Sequence, residues 1–243
     1  MYFCYTKTNI SMKKLLPIFI IILISIQLQA QYKPVLFGLR VGTNLGWVKP
    51  ETDEYTSEGV KMGFTWGFIG EFYLMENYAI QTGFNMNFNG GKMEYPYIMD
   101  VSGGDSVFTT GGTMLRQYNL KYIQIPLCLK MPSEIKDKFT IFAKIGVGTA
   151  FNLSAKGTDE FSYEGGKVSD DKHDIQDEIA LMRESLIVGG GFEWEIKGST
   201  ALIVDLTYDN AFNNLLTGNN PALPGTNPKA IHNFVELGIG IVF

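Results

Sequence analysis

The chain is poor in the residues that crosslinking and catalysis rely on. Its 243 residues include two cysteines and two histidines, at Cys4, Cys128, His173 and His232. That supply is too small for a disulfide framework or a convincing zinc site. Basic charge is also short. Twenty Lys and Arg against 25 Asp and Glu give a formal charge of −5, which argues against nucleic acid as a partner. Long apolar runs are missing beyond the first thirty residues, and a mean hydropathy close to zero does not fit a helical membrane protein. A sustained helical period is missing as well after Tyr32, except in one loop segment. What the chain does have is 45% hydrophobic residues, 13% aromatics and 27 glycines, enough apolar material to rule out a disordered chain.

Residues 1–30 read as a targeting leader. Lys13 and Lys14 precede an apolar run from Leu15 to Leu28, which is shorter than the roughly twenty residues a spanning helix needs. Ala30 supplies a small residue at a cleavage point, with Met12 a natural start and Leu28 a poor match at the −3 position. Losing Lys7, Lys13 and Lys14 with the leader would take the formal charge from −5 to −8. It would also leave Cys128 alone, so no intramolecular disulfide is expected. The expected division is a signal peptide over 1–30 and one domain over 31–243.

Within that domain the apolar residues alternate. Phe139, Ile141, Ala143, Ile145 and Val147 share one face, and Thr140, Lys144, Gly146 and Gly148 share the other; a period of two means strand. The same reading gives eight strands, at about 35–47, 60–75, 78–90, 114–131, 139–154, 183–196, 200–213 and 230–243. Their connections alternate long and short, as in a transmembrane barrel with tight periplasmic turns and long external loops. An even strand number puts both ends on the periplasmic side. Aromatics gather at the strand ends: Trp47, Phe151, Tyr208 and Phe212 at one rim, Phe72, Tyr78, Phe139, Trp194 and Phe243 at the other. A soluble eight-stranded barrel of lipocalin type would need a charge-rich outer face. Here the non-apolar face is largely Gly, Thr and Asn, which suits a narrow filled lumen. The expected fold is an all-β, eight-stranded antiparallel transmembrane barrel in the outer membrane.

Three segments resemble one family. Phe37-Gly-Leu-Arg-Val-Gly-Thr-Asn-Leu-Gly, Tyr122-Ile-Gln-Ile-Pro-Leu-Cys-Leu-Lys130 and Ile187-Val-Gly-Gly-Gly-Phe-Glu193 are similar in order and spacing to the PorT-like outer-membrane β-barrel proteins of Bacteroidetes. The resemblance covers the whole chain after the leader; Gln124 departs from it, since that strand often carries Glu. It implies an outer-membrane barrel and an accessory role in type IX secretion.

The lumen-facing positions carry Arg40, Glu71, Gln81, Gln124, Lys130, Lys144, Glu193, Asp205 and Glu236. Both signs are present in similar number, so these residues are expected to form a closed polar network inside the barrel. Pro126 cannot donate to a ladder, and the apolar face switches phase between Leu120/Tyr122 and Ile123/Ile125, so a bulge is expected near Tyr122–Ile123. The acidic loop 155–182 places Ile175, Ile179 and Met182 at helical spacing, which predicts a short external helix. It lacks the spacing of an EF-hand calcium loop. His232 lies near the outer end of the last strand, within possible reach of Asp205 and Asp209, but no serine is placed to complete a hydrolase. Gly189-Gly190-Gly191 leads into a strand, not a helix, so it is no phosphate cradle. Phe243, in phase with the last strand's apolar face, is expected to serve as the assembly terminus.

The expected function is therefore non-enzymatic and without cofactor: a monomeric barrel in contact with outer-membrane lipids, the barrel insertion machinery and other envelope or secretion proteins. A narrow small-solute channel is the alternative, and an outer-membrane hydrolase stands behind it.

Overall fold

The computed structural model describes residues 35–103, 106–136 and 138–243; the expected leader, with Met12, Cys4 and the expected cleavage point, lies outside them. Nine strands form one antiparallel sheet: β1 (Val35–Pro50), β2 (Thr56–Met75), β3 (Tyr78–Gly103), β4 (Ser106–Lys136), β5 (Phe139–Tyr163), β6 (Gly166–Asp174), β7 (Met182–Lys197), β8 (Thr200–Ala211) and β9 (Ala230–Val242). Eight of them close a barrel. β4 pairs with β5, β5 with β7, and β9 pairs back onto β1 from Gly38↔Val242 to Pro50↔Ala230. Phe243 continues that seam, with its N–H donating to the Phe37 carbonyl at 2.8 Å and its own carbonyl accepting from Phe37 at 3.1 Å. Closure matters because an unpaired backbone group costs several kcal/mol in hydrocarbon.

The alternation seen in the sequence becomes an inside and an outside. Leu39 (59% exposed), Met62 (72%), Trp66, Ile125, Ile145, Leu206 and Leu237 face outward. The band runs from Phe37 to Trp47 along β1, about 33 Å of strand, or about 25 Å of height at a barrel's tilt. The spanning segments are accordingly about 35–47, 62–75, 78–88, 121–131, 139–151, 182–197, 200–212 and 231–243. Trp47 stacks on Tyr208 at the outer rim (6.1 Å), and Phe139 stacks on Phe192 near the inner one (5.4 Å).

Three expectations are corrected. The connections 91–113 and 155–182 are not irregular loops. β3 and β4 continue as one hairpin well past the rim, and β5 turns back into the ninth strand, β6, which pairs with it outside the barrel. The expected helix around Ile175–Met182 is a single 3-10 turn, Gln176–Glu178, because Ile175 and Ile179 bury into an apolar core shared with Tyr55, Phe161 and Leu215 rather than along a helix face. A bulge does lie beside Tyr122, but its extra residue is on β5 and β4 has no phase switch. Tyr118, Leu120, Tyr122, Gln124, Cys128 and Lys130 all point inward in one unbroken alternation, and the extra residue is Leu153 on β5, between the pairs Lys121↔Ser154 and Tyr122↔Asn152. Leu120 and Tyr122 had looked outward because the outer half of the lumen is itself apolar. Pro126 sits in a straight strand; the β3–β4 pairing runs Thr82↔Leu127, then Asn85↔Gln124, and is interrupted opposite the proline without losing register.

Candidate functional site

The nine polar positions picked out for the lumen all lie on the inner face, and they assemble into three levels. Nearest the periplasmic end, above an apolar floor of Leu36, Ile69, Phe142, Ile203 and Val242, the Lys130 ammonium meets both Glu71 oxygens at 2.6 and 2.7 Å and also pairs with Glu193. Gln81 donates to Glu71 at 2.9 Å, and Lys130 lies over the Phe142 ring at 4.6 Å. One level up, Asp205 accepts from Arg40 at 3.2 Å, from Lys144 and from Thr207, while Arg40 also pairs with Glu236. The register explains how such large side chains fit. Arg40 stands opposite Gly67 and Gly240, Asp205 opposite Gly191 and Gly238, and Lys144 opposite Gly189. A Cβ at Gly238 would collide with both Asp205 and Arg40. The glycines and the charges are complementary halves of one packing.

The third level was only partly expected. Gln124 donates to Asp209 at 2.7 Å and accepts from Asn87 at 2.9 Å. Asp209 also takes a bond from Arg183 at 2.5 Å, and Arg183 reaches the His232 carbonyl at 2.9 Å. Arg183 lies at the start of its strand and was not among the expected lumen residues, although its alternation with Leu186 and Val188 sets it on the inner face. His232 is buried and stacked on Tyr122 (6.5 Å). Neither Asp205 nor Asp209 hydrogen-bonds to it, so the His–Asp arrangement considered for a hydrolase does not form. Beside Arg40 and Asp205 a void of about 20 Å³ remains, room for about one water.

Outside the membrane the chain builds a walled cup. Its cavity, about 280 Å³, is lined by Tyr55 from the β1–β2 loop, Tyr95, Tyr97, Arg116 and Tyr118 from the β3–β4 hairpin, Glu178 from the 3-10 turn, and Gly218–Asn220 from the β8–β9 loop. Tyr55 and Tyr95 stack at 5.0 Å, and Tyr97 meets Tyr95 edge-on at 6.2 Å. Arg116 grips Asp159 through two bonds of 2.6 and 2.7 Å and pairs with Glu178. Burial works against the Arg116 charge, but the Asp159 bonds and surrounding charges outweigh it and raise its pKa. Burial pushes the Tyr95 and Tyr118 phenols up as well. Asn220 closes one side, donating to the Tyr55 hydroxyl at 2.7 Å and to the Pro96 carbonyl at 2.9 Å. The Thr217 N–H and hydroxyl tie the same loop to Glu178 and Asp177. The sequence pattern does not reveal the cup because Arg116 and Tyr118 share the phase of Leu120 and Tyr122, which reads as the apolar outer face, and because Tyr55, Tyr95 and Asn220 fall in segments that read as loops. Among the described residues no group of three or more His, Cys, Asp or Glu is arranged to hold a metal ion.

Residues 27–217 match the family described as outer membrane protein beta-barrel domain. No curated protein matches the sequence. Among solved structures, Neisserial surface protein A aligns at a TM-score of 0.46 and 9% identity, over 85% of this chain and 95% of its own. OprG from Pseudomonas aeruginosa aligns at 0.44 and 11%, over 87% and 97%. The outer membrane protease OmpT from Escherichia coli aligns at 0.36 and 9%, over 89% and 99%.

Proposed function

The chain belongs to the outer membrane protein beta-barrel domain family, and from that premise we propose that it works as a non-conducting, non-enzymatic outer-membrane barrel whose task is performed by its extracellular head. The observation that carries this reading is the contrast between the two ends of the molecule. The lumen is filled at three levels by side chains held in ion pairs, while the outer hairpins and loops converge on an open, aromatic-walled cup. An eight-stranded lumen has room for little beyond side chains, so binding outside the membrane is the activity this architecture favours.

The specific form of the proposal is an envelope accessory of PorT type serving type IX secretion in a Bacteroidetes cell, exported by the 1–30 leader and inserted as a monomer. The three sequence segments that resemble that family support it. Crosslinking in intact envelopes, followed by purification and identification of partners, tests it. Recovery of type IX secretion components supports the role; recovery of the insertion machinery alone contradicts it.

A further inference from the structure

We propose that the extracellular cup is a binding site for a neutral saccharide, about one sugar ring in size. This rests on the reading of the head as a binding surface and names the ligand class. The size comes first. A cavity of about 280 Å³ is worth roughly nine waters at liquid density, suited to one ring with a few waters retained.

Charge narrows the chemistry. Arg116 is the cation of the cup, and its guanidinium is taken up by Asp159 on one edge and by Glu178 beside it. Two carboxylates on one guanidinium leave the cluster net negative. Three of the five guanidinium N–H groups are already used, and a phosphate, sulfate or carboxylate ligand would meet the charge of both carboxylates. An organic cation would have to sit close to the guanidinium that these carboxylates already satisfy.

The walls narrow it further. Tyr55 and Tyr95 form a flat stacked pair, with Tyr97 at 82° to Tyr95. Among the described residues the hydroxyls of Tyr95, Tyr97 and Tyr118 make no hydrogen bond to protein, unlike that of Tyr55, which is held by Asn220. A ligand that presents C–H surface to a ring and hydroxyls to phenols satisfies both features together. A pyranose does this; a purely apolar ligand would leave the phenols without partners. Both N–H groups of the Asn220 amide are used in pinning the loop, donating to Tyr55 and Pro96, and its oxygen accepts from the Ala222 N–H at 2.9 Å. Recognition therefore falls to the tyrosines and the exposed Asn219.

The test uses the full barrel refolded in a polyoxyethylene detergent, which carries neither sugar nor ammonium groups. Saturation-transfer NMR is run with glucose, galactose, mannose and N-acetylglucosamine, then with a purified neutral O-polysaccharide fragment, and with tetramethylammonium as the cationic probe. Saturable binding of at least one sugar supports the assignment. Tyr97→Phe should then weaken it several-fold and Tyr97→Ala about tenfold or more, with heat-modifiable mobility on gels showing that both variants fold. Binding of the neutral O-polysaccharide fragment alone assigns the ligand to the cell's own surface; binding of free hexoses assigns it to the surroundings. Absence of saturation by every sugar up to about 50 mM, or saturation by tetramethylammonium alone, overturns the proposal. Equal binding by wild type and Tyr97→Ala overturns the cup as the site. If sugars fail while crosslinking recovers a defined envelope partner, the binding head stands and only the ligand class falls.

Discussion

Lys130 is fully buried between Glu71 and Glu193, and removing it would leave two carboxylates facing each other without their counterion. Truncating one member of a buried pair costs about 3–5 kcal/mol, so Lys130→Leu should lower the urea stability of the barrel in lipid vesicles by about that much. Arg40→Leu should do the same one level up, where Asp205 and Glu236 share the guanidinium. Unchanged unfolding midpoints in both variants would count against a network that holds the lumen together. In the head, the phenols of Tyr95 and Tyr118 have raised pKa values because burial penalises the phenolate. The sign follows from linkage: the stabilisation is fully present below the ordinary tyrosine value of about 10 and is lost as pH rises through the shifted one. A phenolate absorbance titration should therefore show a late fraction, diminished in Tyr95→Phe and Tyr118→Phe, that appears only as the head opens. A single step near pH 10 for all phenols would contradict the buried cup.

At the level of the element, period-two alternation located all eight barrel strands, five of them to within four residues at both ends, while β3, β4 and β5 run 8 to 13 residues further at the outer end. It did so because lipid on one side and a narrow lumen on the other force every second residue to a fixed polarity. The method failed where that constraint stops. Past the outer rim β3 runs from Asn89 to Gly103, about 50 Å of strand with no bilayer to face, and its alternation of Met93, Tyr95 and Tyr97 with Lys92, Glu94 and Pro96 was passed over as loop. The reading of β4 failed for a related reason, since Leu120 and Tyr122 are apolar and yet face inward. Phe243 belongs to this level too. Its two backbone bonds to Phe37 hold the last turn of the seam between β9 and β1, and its ring is exposed on the lipid face. Deleting it, or substituting Phe243→Asp, should reduce the folded, heat-modifiable form in outer-membrane fractions more than a change at exposed Glu164 in the β5–β6 turn. Wild-type levels of the folded form would contradict a role in assembly.

For the molecule as a whole, the lumen was legible in the sequence and the cup was not. Strand phase alone set Arg40, Glu71, Lys130, Lys144, Glu193, Asp205 and Glu236 on one surface, and a barrel of fixed strand number left them nowhere else to go. The cup depends on Tyr55, Tyr95, Arg116, Glu178 and Asn220 meeting from segments up to 165 residues apart, through hairpin contacts that no local pattern encodes. A barrel that works through its head has a closed membrane-spanning part and does its binding outside. Single-channel recording in planar bilayers tests this most directly, with wild type compared with Lys130→Ala and Arg40→Ala. The wild-type barrel should be silent, with conductance steps confined to the variants that break the lumen ion pairs. Stable, ohmic conductance from the wild-type protein, unaltered in those variants, would contradict it.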